Sequence, residues 1–293
     1  MEQQTKKRTC IGIVGLGLIG GSLGLELQAL GHTVNALVNK PQTVERAKER
    51  GLAQVISTDP NILANCELVI IALPLDQLMN PPQEIINALP PNAVITDVGS
   101  VKAPVLKVWE KLHPRFIASH PMAGTTQSGI EAGHLGLFRE SPWVATPNSK
   151  TDSEALELVQ KLAMSLDTKW ITTSAEKHDT AVALISHLPV LISGALLQTM
   201  ATEPDPSVRE LAKVLASSGF SDTTRVGGGN PNLGRAMAEN NTTAVLGALT
   251  AYQGCLKKLE ESILKDDWLK LQEDLDLCQK IRSSFICNKD QFN

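Results

Sequence analysis

Two histidines and one arginine stand out by where they lie in the sequence. His120 sits in SHPMAGTTQSG, after the apolar run Phe116 to Ser119 and before a glycine-rich loop. An imidazole placed there can accept a proton near neutral pH, unless it serves only as a structural side chain. His187 sits in ISHLP, two residues before Pro189, which cannot donate a helical hydrogen bond and clashes with the carbonyl of Ile185, so a kink is expected. A polar ring on a segment otherwise built for burial needs a partner, and a ligand carboxylate or a backbone carbonyl would serve. Arg225, in FSDTTR beside glycine clusters, can hold a carboxylate through two parallel hydrogen bonds or stand in water as a surface arginine.

A second group of residues is suited to binding phosphate. The stretch Cys10 to Gly21, CIGIVGLGLIGG, joins a short apolar strand to an apolar-periodic helix through Gly15, Gly17 and Gly20. In this GxGxxG turn the first glycine permits the tight turn, the second lets backbone approach a pyrophosphate, and the third lets helix pack closely on strand. Gly17, Leu18, Ile19 and Gly20 would then offer free N–H groups at a helix N-terminus, where the dipole also favours negative charge. A glycine-rich turn without a ligand is the alternative.

Cofactor preference is read at the end of the next strand, Thr33 to Val38. Where NAD-specific folds carry an acid for the ribose 2′-OH, this chain has Val38, then Asn39, Lys40 and, one turn on, Thr43. With no carboxylate to repel a 2′-phosphate, and one cation plus amide and hydroxyl donors nearby, this local chemistry favours NADP over NAD. Lys40 as a solvated loop charge is the other reading.

The elements that must position these groups alternate strand and helix. After a helix at Thr43 to Arg50 come Ala53 to Ile56, the continuous apolar run Leu68 to Leu73, a helix from about Asp76 to Leu89, a strand at Ala93 to Val98, a helix from about Val101 to Leu112, and a strand at Phe116 to Ser119. That order implies an α/β fold, a doubly wound parallel sheet with right-handed crossovers. Ligands collect at the carboxyl ends of such strands, so Leu73, Pro74, Gly99, Ser100 and His120 should face one cleft.

From about Thr151 the character changes. An amphipathic helix (Ala155 to Leu166) and a last strand (Lys169 to Thr173) precede an all-helical remainder, which sets the domains at 1–173 and 174–293. Helices are expected at about Ala175 to Ala201, Ser207 to Ser217, Gly234 to Leu264, with or without a break, and Asp266 to Ser284. Gly219 to Gly234 is read as too glycine-rich for helix. Long apolar helices with few loops point to interlocking with a second copy.

Composition narrows the function classes. The 293 residues are 42% hydrophobic and 20% charged with net charge −4, a soluble pattern without the basic excess that nucleic acid would require. Five scattered cysteines, with no CxxC pair and no histidine at metal-ligand spacing, read as reduced, mostly packed thiols of a cytoplasmic protein, and no metal site is expected. No apolar segment precedes the first strand, so no signal peptide is expected. Thr180 to Thr202 carries no charge and is long enough to cross a bilayer, but it holds Ser186, His187, Pro189 and Ser193 and no second such segment follows; a helix buried between subunits accounts for it.

The combination GLGLIGGS, DVGSVK, SHPMAG, ISHLP and GFSDTTR, in that order, resembles the prephenate/arogenate dehydrogenase family of tyrosine biosynthesis, from about residue 9 to residue 285. The resemblance implies a homodimer with an N-terminal Rossmann domain and a C-terminal all-helical dimerisation domain, acting on a cyclohexadienol. Hydride leaves the ring carbon bearing the hydroxyl for the nicotinamide, and the ring carboxylate departs as carbon dioxide. It further implies that His120 bonds the ring hydroxyl and takes its proton, that Ser100 lies beside that hydroxyl and the nicotinamide, that Arg225 holds a substrate carboxylate, and that His187 lines the pocket. Two positions depart from some prephenate-using members: Thr126 stands in place of a glutamate, and Gly234 in place of a tryptophan. With the missing acid after the second strand, these departures point to arogenate and NADP; prephenate giving 4-hydroxyphenylpyruvate is the alternative, and a non-catalytic NADP-binding sensor is a reading from another class.

Overall fold

The structure, a computed structural model, describes residues 9–125 and 127–290, with side chains through 285. Two compact units follow one another along the chain, the first ending at Thr242 and the second beginning at Thr243. The first is organised on a six-stranded sheet of β1 (Cys10–Val14), β2 (Thr33–Leu37), β3 (Val55–Ser57), β4 (Leu68–Ile71), β5 (Val94–Asp97) and β6 (Phe116–Ile117). Every described pairing in it is parallel, and the order β3-β2-β1-β4-β5-β6 is that of the Rossmann sheet.

Both faces of this sheet are covered. Ile11, Ile13, Leu68, Ile70 and Val94 pack on one side with Leu23 and Leu27 of α1 (Leu18–Ala29), Ala47 of α2 (Pro41–Glu49) and Val159 of α6 (Ser153–Ser165). Val14, Val69, Ile71 and Ile95 pack on the other with α3 (Leu75–Met79), α4 (Gln83–Ala88) and α5 (Ala103–Trp109). Successive side chains point to opposite faces, so a strand buried on both sides must be apolar throughout, as Leu68–Ile71 is.

Three details differ from expectation. The single helix expected from Asp76 to Leu89 is two short ones, because Pro81 and Pro82 lack the N–H groups that would continue α3. The strand expected at Phe116 to Ser119 divides at Ala118: β6 stays in the main sheet, while β7 (Ser119–Pro121) turns into a second sheet with β8 (Pro142–Ala145) and β9 (Lys169–Thr172). His120 therefore lies within a strand, opposite Val144, and not past the end of one.

The helices that follow are α7 (Ala175–Val182), α8 (Leu188–Ala201), α9 (Pro206–Leu215), α10 (Ser218–Thr224) and α11 (Pro231–Asn240). Between α7 and α8 the chain stays helical through one π turn, Ala183–His187. A widened turn immediately before Pro189 accommodates the missing donor and the ring, so the expected disturbance takes this form. Glycine content misled at Gly219 to Gly234, since α10 and α11 occupy most of that stretch. Only residues 225–230 lie outside the two helices, and Asn230 with Pro231 caps α11.

The second unit consists of α12 (Thr242–Leu264, whose first residue ends the first unit) and α13 (Trp268–Asp290). Asp266 takes a left-handed φ of 52° in the turn between them. Trp268, Leu269, Leu275, Leu277, Ile281 and Phe285 are exposed on α13 in this single chain. Cys255 and Cys278 are exposed too, so the cysteines are less uniformly packed than expected.

Candidate active site

At the carboxyl end of β1 the three glycines have separable roles. Gly15 takes φ +95°, and an added Cβ would fall 2.6 Å from the carbonyl oxygen of Ala72. At Gly20 the Cβ would lie 1.9 Å from the carbonyl oxygen of Gly15, so helix and turn touch through bare backbone. At Gly17 it would meet nothing within 4 Å, and Gly17 caps α1 without a side-chain hydrogen bond. The first turn of α1 thus presents N–H groups to an open space, which fits a phosphate-bearing cofactor. This is also where the strand order reverses, between β1 and β4. Leu73 packs against the Gly15 position and Pro74 caps α3 beside it.

At the end of β2, Val38 is buried, whereas Asn39 and Lys40 are exposed and Thr43 is half-buried in the first turn of α2. Asn39 is thus the first exposed residue past this strand end, and the acid's expected place, Val38, is buried. Arg46, the next cation, is held by Glu131 and Glu49.

Three strands further along, the polar residues form one connected network. The Lys102 ammonium donates to Asp97 Oδ2 and, at 2.6 Å, to the carbonyl of Ser119. Asp97 also accepts from the backbone N–H groups of Gly99 (2.8 Å) and Ser119 (3.1 Å), tying the Gly99–Ser100 turn to the base of β7. Burial pushes the Asp97 carboxyl up and the Lys102 ammonium down, and their mutual attraction opposes both shifts. Ser100 is half-buried in this turn.

His120 extends from β7 toward α7, where its Nδ1 lies 2.9 Å from Nε2 of His178. Nδ1 of His178 is 2.8 Å from Asp179 Oδ1, and Asp179 accepts the N–H groups of Lys102 (2.7 Å) and Ala103 (2.8 Å) at the start of α5. Burial holds His120 well below the ordinary imidazole range, and the Lys102 ammonium acts in the same direction, as a proton on His178 or His187 would. His120 is therefore neutral at pH 7 and able to accept a proton.

His187, on the π turn, is buried and pushed down to about 4 by burial, against the pull of Asp179 and with repulsion from His178. Its Nδ1 faces the Asn241 amide at 3.3 Å, and its Nε2 is buried without a partner among the described residues. Arg225 follows α10 directly and is exposed. Its turn is fixed to α8 by the Gly227 N–H donating to Ser193 Oγ at 2.8 Å, and a Cβ at Gly227 would sit 2.4 Å from the Gly194 nitrogen. The structure thus links His120, His187 and the Ser100 turn through Asp179, while Arg225 has no described bond to them. Thr126 lies outside the described residues. Gly234 is inside α11, where an added Cβ would lie 3.6 Å from Val190 Cγ1.

His178, Asp179, Lys102 and Asn241 were not singled out from the sequence. The available signal was the pair His178–Asp179 directly before the uncharged run Thr180 to Thr202; only the fold shows that it meets His120.

A Rossmann sheet with an open, glycine-lined helix N-terminus at its switch point, a neutral histidine on the adjoining small sheet and a helical second part define a dinucleotide-binding oxidoreductase. Two family models cover most of the chain: "Prephenate dehydrogenase, nucleotide-binding domain" matches residues 23–172 and "Prephenate dehydrogenase, dimerization domain" residues 174–277. The chain belongs to the prephenate dehydrogenase family. It is 31% identical to the cyclohexadienyl dehydrogenase of Zymomonas mobilis over 96% of this chain and 97% of that one. It is similar to the crystal structure of Synechocystis arogenate dehydrogenase, at 38% identity and TM-score 0.83, over 94% of this chain and 100% of that one. It is also similar to prephenate dehydrogenase from A. aeolicus in complex with hydroxyphenyl propionate and NAD+, at 26% identity and TM-score 0.89, over 96% and 100%.

Proposed function

We propose that this protein catalyses the oxidative decarboxylation of arogenate to tyrosine with NADP as hydride acceptor. The observation that carries the reading is the neutral, half-buried His120, bonded through His178 to Asp179 and joined by that carboxylate to the loop bearing Ser100. Gly15, Gly17, Leu18, Ile19 and Gly20 would hold the NADP pyrophosphate, Asn39, Lys40 and Thr43 its 2′-phosphate, and Leu73, Pro74 and Gly99 the nicotinamide end; when bound, the cofactor would supply the hydride acceptor.

His120 accepts the hydrogen bond of the ring hydroxyl. It takes the proton as the hydride departs, so that the carbon left behind becomes carbonyl-like instead of a bare cation, and it returns the proton to the phenolic oxygen as the ring aromatises. The electron pair of the breaking bond to the ring carboxylate completes that aromatisation, with carbon dioxide as the other product. Ser100 orients the hydroxyl. Arg225 holds a substrate carboxylate, His187 lines the pocket, and Thr126 lies at the side-chain end. Most of the rate comes from holding hydride donor and acceptor in line.

Residues 1–173 serve as the cofactor domain and 174–293 as the substrate and dimerisation domain. The exposed apolar side chains of α8, α9 and α13 are covered by a second copy, a cytoplasmic homodimer without nucleic-acid or membrane partner. Greater identity to the Synechocystis arogenate dehydrogenase than to the A. aeolicus prephenate dehydrogenase supports arogenate. The test is NADPH absorbance with arogenate and, separately, prephenate, over a range of concentrations. Turnover of arogenate is expected, and His120→Asn should lower it by about two orders of magnitude while NADP still binds. Strong turnover of prephenate alone would overturn the substrate; silence with both would overturn the reaction.

A further inference from the structure

An imidazole does different chemistry according to which nitrogen carries its hydrogen, and that is set by the bond the other nitrogen makes. Asp179 Oδ1 lies 2.8 Å from Nδ1 of His178. A carboxylate oxygen only accepts, so Nδ1 of His178 carries a hydrogen, and a ring with one hydrogen there has a bare Nε2. That bare nitrogen is 2.9 Å from Nδ1 of His120, so His120 donates from Nδ1 and keeps its lone pair on Nε2. The Asp179 carboxylate cannot turn away, because the N–H groups of Lys102 and Ala103 hold its two oxygens at 2.7 and 2.8 Å.

The backbone of the same residue governs the second histidine. The Asp179 carbonyl accepts one hydrogen of the Asn241 amide nitrogen at 2.8 Å, which fixes the orientation of that amide. Its other hydrogen is directed at Nδ1 of His187, 3.3 Å away. Nδ1 of His187 is therefore the accepting nitrogen, and the ring hydrogen sits on Nε2, the buried atom without a partner among the described residues. A buried donor in that state is satisfied when a ligand oxygen arrives.

We propose that Asp179 is the positioning residue of this site, acting through His178 and through Asn241 to give the two site histidines opposite tautomers. His120 presents a bare Nε2 that accepts the proton of the substrate hydroxyl, and His187 presents an Nε2–H that donates to a substrate oxygen. The inference rests on the reaction proposed above for what the two atoms meet, but the tautomers themselves are properties of the protein.

They are read directly by two-bond ¹H–¹⁵N correlation on the full-length protein labelled at its six histidines, near pH 8, without substrate. The expected spectrum shows the hydrogen on Nδ1 of His120 and of His178 and on Nε2 of His187. A hydrogen on Nε2 of His120, a doubly protonated His178, or a hydrogen on Nδ1 of His187 would overturn the proposal. In His178→Leu, the His120 ring should show mixed tautomers and kcat should fall at least tenfold, with KM for substrate and NADP affinity moving less than threefold. An unchanged kcat with the Nδ1–H tautomer retained would also overturn it. Because the wild-type spectrum needs neither variant nor turnover, failure to oxidise arogenate or prephenate would sink the functional reading separately.

Discussion

Lys102 and Asp97 form an ion pair in which both side chains are wholly buried, five residues apart across the turn that carries Ser100. The other bonds of these two side chains go to the backbone of Gly99 and Ser119. It fixes β5, the Ser100 turn and β7 relative to one another, so it controls where His120 stands.

Removing one partner should therefore cost far more than a surface pair would. Lys102→Met leaves the Asp97 carboxylate without its cation and is expected to lower unfolding free energy by about 3–5 kcal/mol. Urea denaturation of the variant checks this. A loss below about 1 kcal/mol would show that the pair behaves as an exposed one.

Gly17 and Gly20 should separate binding from folding. Gly20→Ala drives a Cβ to 1.9 Å from the Gly15 carbonyl oxygen and should lower both Tm and NADP affinity, whereas Gly17→Ala meets no protein atom within 4 Å and should fold normally. If cofactor phosphate passes over Gly17, that second variant loses at least about tenfold in NADP affinity, or roughly 1.4 kcal/mol, by fluorescence titration. Wild-type affinity in Gly17→Ala would move the pyrophosphate elsewhere.

Cofactor choice is best tested at Asn39. Val38 is 6% exposed, so an acid there would bury a charge, while Asn39 is exposed at the same strand end. Asn39→Asp places a carboxylate where a 2′-phosphate would lie and should shift the ratio of kcat/KM values toward NAD by about tenfold or more. An unaltered ratio would remove Asn39 from the cofactor site.

Arg225→Ala should raise the substrate KM by roughly tenfold or more, as expected for loss of a charge-assisted pair, with little change in NADP affinity. The Gly227–Ser193 bond keeps its turn in place, so the fold should survive. Unchanged substrate saturation in steady-state kinetics would assign Arg225 to solvent.

Acid should destabilise the protein before its carboxylates titrate. His113, His120 and His187 are all held below the ordinary imidazole value of 6.5, His187 at about 4, so the unfolded chain binds more protons than the native one as pH falls through 6.5. Stability is thus fully present above about pH 7 and declines toward pH 5, a slope that His187→Leu should flatten. A Tm constant between pH 7 and pH 5 would contradict the burial assigned to these rings. Because burial lowers His120, the acid limb of kcat/KM should lie below the ordinary imidazole value of 6.5.

Much of the cofactor end was legible because its determinants are local. A GxGxxG turn between an apolar strand and an apolar helix constrains φ at Gly15 and close contact at Gly20 within a dozen residues, and neither depends on distant chain. The alternation of strands and helices was readable for the same reason, through patterns of period 2 and 3.6. Prediction failed where a local rule was outweighed. Glycine content suggested a loop over Gly219 to Gly234, yet caps and packing against α8 make most of it helical. Two adjacent prolines, each lacking an N–H, divided the helix expected from Asp76 to Leu89.

By itself, the sequence determined the doubly wound class, the glycine-lined turn between β1 and α1, the absence of an acid after β2 and the candidacy of His120, His187 and Arg225. Only the tertiary structure decided that His120 sits in a strand of a second sheet, that its partner is His178 and that Asp179 reaches α5 and Asn241. These contacts join residues 58, 76 and 62 positions apart. No periodicity encodes them, because such pairings are fixed by how buried polar groups find partners once sheet and helices have packed.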